Sequence, residues 1–438
     1  MIFRSILWLE PIALFIMLAA FWTPDINRVH TLWLMLPVLI ARVLTTRRLL
    51  APSPLNGVII VLLALMLINI VLAPMTWGLW IVGRPLAGAL LATSFAERVM
   101  RGGERGLTTL ITATIVLALG VGVIALLYSQ WTSKSIQLQG VIDLLPPPPG
   151  WEFMQNTFGT GFNVNEIAGA LTWLCPLSAA IAIIDLRARR RRGWLALLTF
   201  GVIALALFLG QSRFAIFGVI GAMTILVWAL YPPGRARVGA WVGLAVVLAA
   251  QLVILSGIFN PIAAQAALRD EDSFSARIFI WQAGIDITLD YPLTGIGLNQ
   301  YRSRAVRALY PVPGYETAVL PHAHNEWIQM GADMGIPGVA VLCVLYIVTI
   351  WRLVKAFRSG HKLAAGIGAG LLAHAFFGLG DAITLYDRFT FIFWWLLGLV
   401  ISLDVVMTMV GSSNRVNLAV QLTKLQMTTE APTKAVPV

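Results

Sequence analysis

Twelve apolar runs dominate this sequence and decide what it can fold into. They lie at approximately 6–22, 30–45, 56–74, 78–96, 107–128, 165–186, 194–211, 213–231, 238–258, 336–355, 362–380 and 389–410. A hydrocarbon core of about 30 Å takes roughly 20 helical residues to cross. Backbone amides in lipid must be paired within the segment or in a closed barrel, and this many long runs leave helices as the economical solution. The sequence therefore predicts an all-α polytopic membrane protein of about 12 transmembrane helices. Only 12% of its residues are charged, against about 25% in an ordinary soluble domain. The first run carries Glu10 and Pro11 with no small-residue cleavage site after it, and reads as a retained helix rather than a signal peptide.

The net charge of +11 is explained by placement. Arg42, Arg47 and Arg48; Arg98, Arg101 and Arg105; the run from Arg187 to Arg192; Arg235 and Arg237; and Arg352, Lys355, Arg358 and Lys362 fall in alternate loops. With Arg4, Arg415, Lys424 and Lys434 they place 21 of the 31 Lys and Arg on one side. That asymmetry is the positive-inside pattern; it predicts both termini in the cytoplasm and reads the arginine run as a topology anchor, not a nucleic-acid patch. Cys175 and Cys343 fall inside predicted spans, so no disulfide framework organises the chain.

The organisation is one transmembrane domain, 1–410, and a polar tail, 411–438, expected to be disordered. Two loops on the outer side, about 129–164 and 259–335, exceed ordinary connectors. The first contains four consecutive prolines at 146–149. The second, between spans 9 and 10, predicts a helix at about 273–289 with Asp272 or Ser273 as N-cap and an apolar stripe of Phe274, Ile278, Trp281 and Ile285.

The basic residues left on the outer side are candidates for chemistry. Arg84 lies in the outer half of span four, Arg213 at the outer turn between spans seven and eight, and Arg277 on the loop helix. Charge at membrane depth is costly and usually faces a cavity or a partner. Three guanidiniums converging there would suit a phosphate or pyrophosphate, which a planar fork binds well. The alternatives are an ion pair with Glu10 for Arg84, snorkelling for Arg213 and a solvated helix face for Arg277. The stretch "PHAHNEW" holds His322 and His324, of five histidines in all. An imidazole titrates near neutrality, so His324 is a candidate general base, with His322 in a supporting or structural role. His-x-His could be half of a metal site, but zinc takes three or four ligands and the other histidines lie elsewhere; no metal or cofactor is expected. Asp381, at the outer end of span eleven, could orient a basic residue, while Asp387 and Arg388 could pair with each other.

"HNEWIQMGADMGIPGVA" resembles the motif of the O-antigen ligase and polymerase superfamily, with His324 and Asn325 followed by Gly335 and Gly338. "GTGFNVNEIAGAL" is similar to its Asn-Pro-Asn segment, with Asn163 and Asn165 kept and Val164 in place of proline. "QSR" resembles its Ser-Arg turn, and the segment around Arg277 its Arg, Trp and Gly-x-Gly segment. Pro337 within the glycine spacer and Val339 after it are departures. The resemblance implies a metal-independent, inverting glycosyltransferase of the inner membrane, with its active site on the periplasmic side and a polyprenyl-pyrophosphate-linked glycan as donor. The acceptor would be a lipid A-core sugar in the ligase branch, favoured by the glycine spacing, or another repeat unit in the polymerase branch. Arg213 and Arg277 would bind the pyrophosphate with Arg84 in support, and His324 would deprotonate the acceptor. His322, Asn325, Asn163, Asn165 and Asp381 would line the site. From another class, a twelve-span transporter or lipid flippase would share the cationic lining without needing His324.

Overall fold

The computed structural model of the chain describes residues 2–22, 26–73, 78–129, 162–255, 274–315 and 319–429. Among them the fold is all helical, with no strand. In chain order the α-helices are α1 (Ile2–Ile6), α2 (Glu10–Trp22), α3 (Met35–Thr46), α4 (Leu55–Leu72), α5 (Gly78–Tyr128), α6 (Val164–Arg187), α7 (Arg192–Gly210), α8 (Arg213–Leu230), α9 (Arg235–Leu255), α10 (Phe274–Asp290), α11 (Arg304–Leu309), α12 (Glu326–Arg358), α13 (Leu363–Phe377) and α14 (Thr390–Thr429).

Eight helices among the described residues are long and apolar enough to cross a membrane. All twelve expected runs fall on helices, but they are partitioned differently. The runs at 78–96 and 107–128 share α5, which breaks at Gly103 (φ 54°). Phe95 before the break stacks edge-on to Trp395, and Thr114 after it accepts a hydrogen bond from the same indole at 2.9 Å. A straight helix would separate those two positions by about 28 Å at 1.5 Å per residue, so α5 folds back into two arms. The first and eleventh runs correspond to shorter apolar helices, Glu10–Ala20 and Leu363–Phe377, and the ninth falls on α9, Arg235–Leu255, which is not among the eight.

The centre of the bundle is α6 and α14, whose apolar stretches are 89% and 83% buried. Trp173 on α6 and Trp394 on α14 are among the largest fully enclosed side chains. The surrounding helices turn Val71, Trp194, Trp228 and Ile347 outward, the surface expected where lipid rather than water is the solvent. The protein is thus a multi-pass membrane protein.

Two expectations are corrected. The tail after 411 is helical as far as Thr429, continuous with α14; no proline follows until Pro432, so nothing stops the helix earlier. The loop helix is present as α10, but Ile278 and Ile285 are exposed and the buried face is Ile280, Ala283 and Ile287, packed with Tyr301, Leu320, Ala323 and Ala332. Both stripes satisfy helical spacing, and partners distant in sequence chose between them. The expected N-cap and the four prolines lie outside the described residues.

At the other end of the bundle Glu10 pairs with Arg42, which is fully buried, and lies 3.9 Å from Arg101. The ion pair considered for Arg84 and Glu10 is therefore not formed; Glu10 already has its partners.

The glycine spacing in α12 has a backbone cause. Gly335 adopts φ 68°, ψ −166° inside the helix, a region that is essentially glycine's alone. The next amide, Ile336 N, donates to Pro292 O at 2.7 Å, tying α12 to the end of α10. A Cβ on Gly335 would stand 2.5 Å from Pro292 O. Gly335→Ala is expected to cost about 1–3 kcal/mol in backbone strain alone, seen as a lower Tm in detergent; an unchanged Tm would contradict this account.

Candidate active site

His324 and Asn325 sit where the outer loop enters α12. Asn325 is the N-cap: its side-chain oxygen accepts from Trp327 N and Ile328 N at 3.0 and 3.1 Å, satisfying amides the helix leaves open. His324 immediately before it takes a left-handed backbone (φ 48°), uncommon for a side chain of this size. Its carbonyl accepts from the Trp281 indole of α10 at 3.1 Å.

The turn after α13 receives this segment residue by residue. Gly378 O accepts from Glu326 N at 2.7 Å, and Leu379 O from Asn325 Nδ2 at 3.0 Å. Gly380 O accepts from the Arg277 guanidinium, and Asp381 Oδ1 lies 3.1 Å from His324 Nδ1. Four successive residues each hold one group from elsewhere in the chain.

The hydrogen bonds assign the protons. A carboxylate only accepts, so His324 Nδ1 carries hydrogen toward Asp381, leaving Nε2 with its lone pair free. His322 Nδ1 accepts from His324 N at 3.2 Å, which places the His322 proton on Nε2, 3.7 Å from Asp381 Oδ1. Burial pushes His322 down to about 4 despite the Asp381 charge, so it is neutral near pH 7. Burial alone would raise the Asp381 carboxyl; the hydrogen bond from His324 and the charges of the histidines and Arg277 outweigh it and hold it below the usual carboxylate range. Side chains of His324 and His322 remain 18% and 19% exposed while Asp381 is at 7%: the acid is sheathed and the imidazoles reach the surface.

The guanidinium of Arg277 stands 5.8 Å over the Phe214 ring, and Phe214 in turn packs against Gly380. Arg213, one residue before Phe214, opens α8 with an exposed side chain; it borders the site through that neighbour. Arg84 reaches the same end from α5, donating to Tyr386 O at 2.5 Å and stacked 4.2 Å over Trp80. Asn163 caps α6, its side chain accepting from Asn165 N and Glu166 N. Val164 is then the first helical position, where proline is well tolerated; the cap holds the turn without it. Arg388 pairs with Glu166 at 2.9 Å and not with Asp387, so that expectation is corrected: the acid at the start of α6 is the partner. Every candidate thus lies at one end of the bundle; His322, His324, Asn325, Arg277 and Asp381 form one cluster.

Sequence reasoning missed several members. Gln329 fixes the approach to His324 by accepting from Ala323 N at 2.7 Å, and Tyr386 donates to Asp333 at 2.7 Å in a small cavity beneath the site. Arg302 donates to Pro321 O at 3.3 Å, and its charge acts on His322. Only Arg302 carried a sequence signal, as a further cation in the outer loop.

His322, His324 and Asp381 bring one donor atom each to within 4.8 Å of one another, a set of the size a metal ion uses. The hydrogen bonds run against it. A metal on His322 Nε2 would send that ring's proton to Nδ1, against the His324 N–H, and a metal on His324 Nδ1 would displace the proton that Asp381 holds.

The fold and site define a polytopic helical membrane protein with a carboxylate-oriented imidazole beside fixed guanidinium cations. Residues 198–343 match the family described as O-Antigen ligase. That stretch includes Arg213, Arg277, His324 and Gly335, and the match supports a place for this chain in the O-antigen ligase superfamily. No curated protein matches the chain.

Proposed function

We propose that the protein is a membrane glycosyltransferase that moves a glycan from a polyprenyl-pyrophosphate carrier to a sugar hydroxyl at the periplasmic face of the inner membrane, without a metal and with inversion. Membership of an O-antigen ligase family implies glycan and lipid-linked substrates in general. The observation that carries the finer reading is the free Nε2 of His324, its ring fixed by Asp381, beside the Arg277 guanidinium.

In the step this supports, the acceptor hydroxyl gives its proton to His324 Nε2 as its oxygen attacks the anomeric carbon. The bond from that carbon to the pyrophosphate breaks, and its electron pair leaves on the phosphate oxygen. Arg277, with Arg213 and Arg84 in support, stabilises that charge. A single displacement inverts the anomeric centre. Asp381 steadies the imidazolium, which returns its proton to solvent at the exposed edge. In the ligase reading the acceptor is a lipid A-core sugar.

Arg277 donates to Gly380 O and keeps further N–H donors for an anion. Arg277→Lys is expected to lower kcat/KM by about 10²-fold, because an ammonium replaces the fork with a point charge; wild-type values would remove Arg277 from the site. The reading as a whole is tested by offering purified polyprenyl-pyrophosphate glycan, in detergent with EDTA, with either lipid A-core or a second repeat unit. Product on lipid A-core alone establishes a ligase, and lengthened lipid-linked glycan a polymerase. No product with either returns the protein to the transporter or flippase class.

A further inference from the structure

His374 is fully buried on α13, its ring stacked on Trp173 of α6 at 3.6 Å and 20°. Its Nδ1 lies 3.1 Å from Gly169 O and 3.2 Å from Thr172 Oγ1, and that hydroxyl already donates to Gly169 O at 2.6 Å. A carbonyl oxygen only accepts and the hydroxyl proton is spent, so Nδ1 carries a hydrogen. In a neutral ring Nε2 is then a bare lone pair. Facing it at 3.4 Å is Glu326 Oε2. Neither atom has a hydrogen-bond partner among the described residues. An ionised carboxylate against an imidazole lone pair, sealed from water, is a repulsive contact. It becomes attractive when one proton lies on it, carried by either partner.

We infer that Glu326 and His374 hold one shared proton, and that this pair is a positioning element for His324. Glu326 is two residues beyond His324, and its amide is bonded to Gly378 O. Gly378 N in turn donates to His374 O at 2.7 Å. A Cβ on Gly378 would stand 2.8 Å from Glu326 Oε2, so the side chain fills the space where the two helix ends meet. The proton fastens the start of α12 to the end of α13. Through that joint it sets the distance from Asp381 to the His324 ring. The role rests on the reading of His324 as the base; the presence of the proton does not.

The polar and titratable groups around the pair are Thr172 and the Trp173 ring from α6, Gln329, Asp333 and Tyr346 from α12, and Tyr386 from the segment after α13. Beyond the joint lie His322, His324 and Asp381. Without the shared proton two acceptors would stand face to face, the helix ends would part and kcat would fall, with little change in KM.

The test compares wild type with Glu326→Gln and Glu326→Ala in transfer assays across pH, and follows ¹⁵N-labelled histidine by NMR in the same detergent, with His374→Gln to assign the signal. The glutamine amide donates to Nε2 and does not titrate. Glu326→Gln is therefore expected to keep kcat near wild type, its amide hydrogen standing in for the shared proton. Glu326→Ala is expected to lose about 10²-fold in kcat, as misplaced catalytic groups do. The NMR is expected to show His374 with hydrogen on Nδ1 and an Nε2 that either carries a proton or accepts one from the Glu326 carboxyl, distinct from a bare lone pair. A bare Nε2 at the pH of maximal transfer would overturn the shared proton. A Glu326→Ala variant with wild-type kcat and pH profile would overturn the positioning role. If no acceptor supports transfer, the NMR still decides the proton, so failure here and failure of the glycosyltransferase reading are told apart.

Discussion

Replacing His324 by alanine is expected to lower transfer by about 10²- to 10⁴-fold, the usual contribution of a general base, while the protein still inserts and elutes as wild type does. Three bonds support this expectation. The Asn325 cap starts α12 whatever side chain precedes it, the His324 carbonyl still meets Trp281, and His324 N still donates to His322. None of them involves the imidazole, so alanine removes the ring and leaves the segment in place. A variant that retained wild-type turnover would take the base assignment away from His324, and the partly exposed His322 would be examined next.

The second large effect concerns Asp381 and is graded. Its Oδ1 accepts from Ala382 N at 2.9 Å as well as facing His324 Nδ1. An asparagine oxygen can accept both bonds but carries no charge for the imidazolium. An alanine supplies neither charge nor orientation. Asp381→Ala is therefore expected to lose on the order of 10²-fold or more in kcat, with Asp381→Asn between it and wild type; equal losses in the two would show that orientation contributes nothing. The stability of the protein follows the same carboxyl. Because it is depressed when folded, its contribution is present above the ordinary carboxylate range, about 3.9 for a free aspartate, and is lost as the pH falls through the folded value. Thermal melts in detergent are expected to fall less steeply with acid in Asp381→Asn than in wild type.

What the sequence revealed and concealed divides by the distance over which each feature is decided. The helical class and the His324–Asn325 motif were legible because hydropathy, caps and glycine spacing act within a few residues. Asn163 was visible as a motif, but its work as a cap, which explains why Val164 can replace proline, is defined only by where the α6 helix starts. Facts that depend on two distant segments were hidden. The buried face of α10 is chosen by Tyr301 and Ala332, Arg388 finds Glu166 instead of its neighbour, and α5 doubles back onto Trp395. The Glu326–His374 contact is of this kind. His374 lies within an apolar run and Glu326 in the first turn of α12, and nothing local to either residue announces the other.

The turn from Gly378 to Asp381 has a consequence for anyone who wishes to alter the enzyme. Its four consecutive acceptors are matched to Glu326, Asn325, Arg277 and His324 in strict order. Deleting or inserting one residue there would shift every pairing together, and no local repair could restore more than one. The α12 entrance, the α10 arginine and the α13 exit therefore behave as a single cassette. A chimaera that exchanges specificity with a relative would have to move all three at once, and the freedom to vary substrate lies in whatever surrounds them.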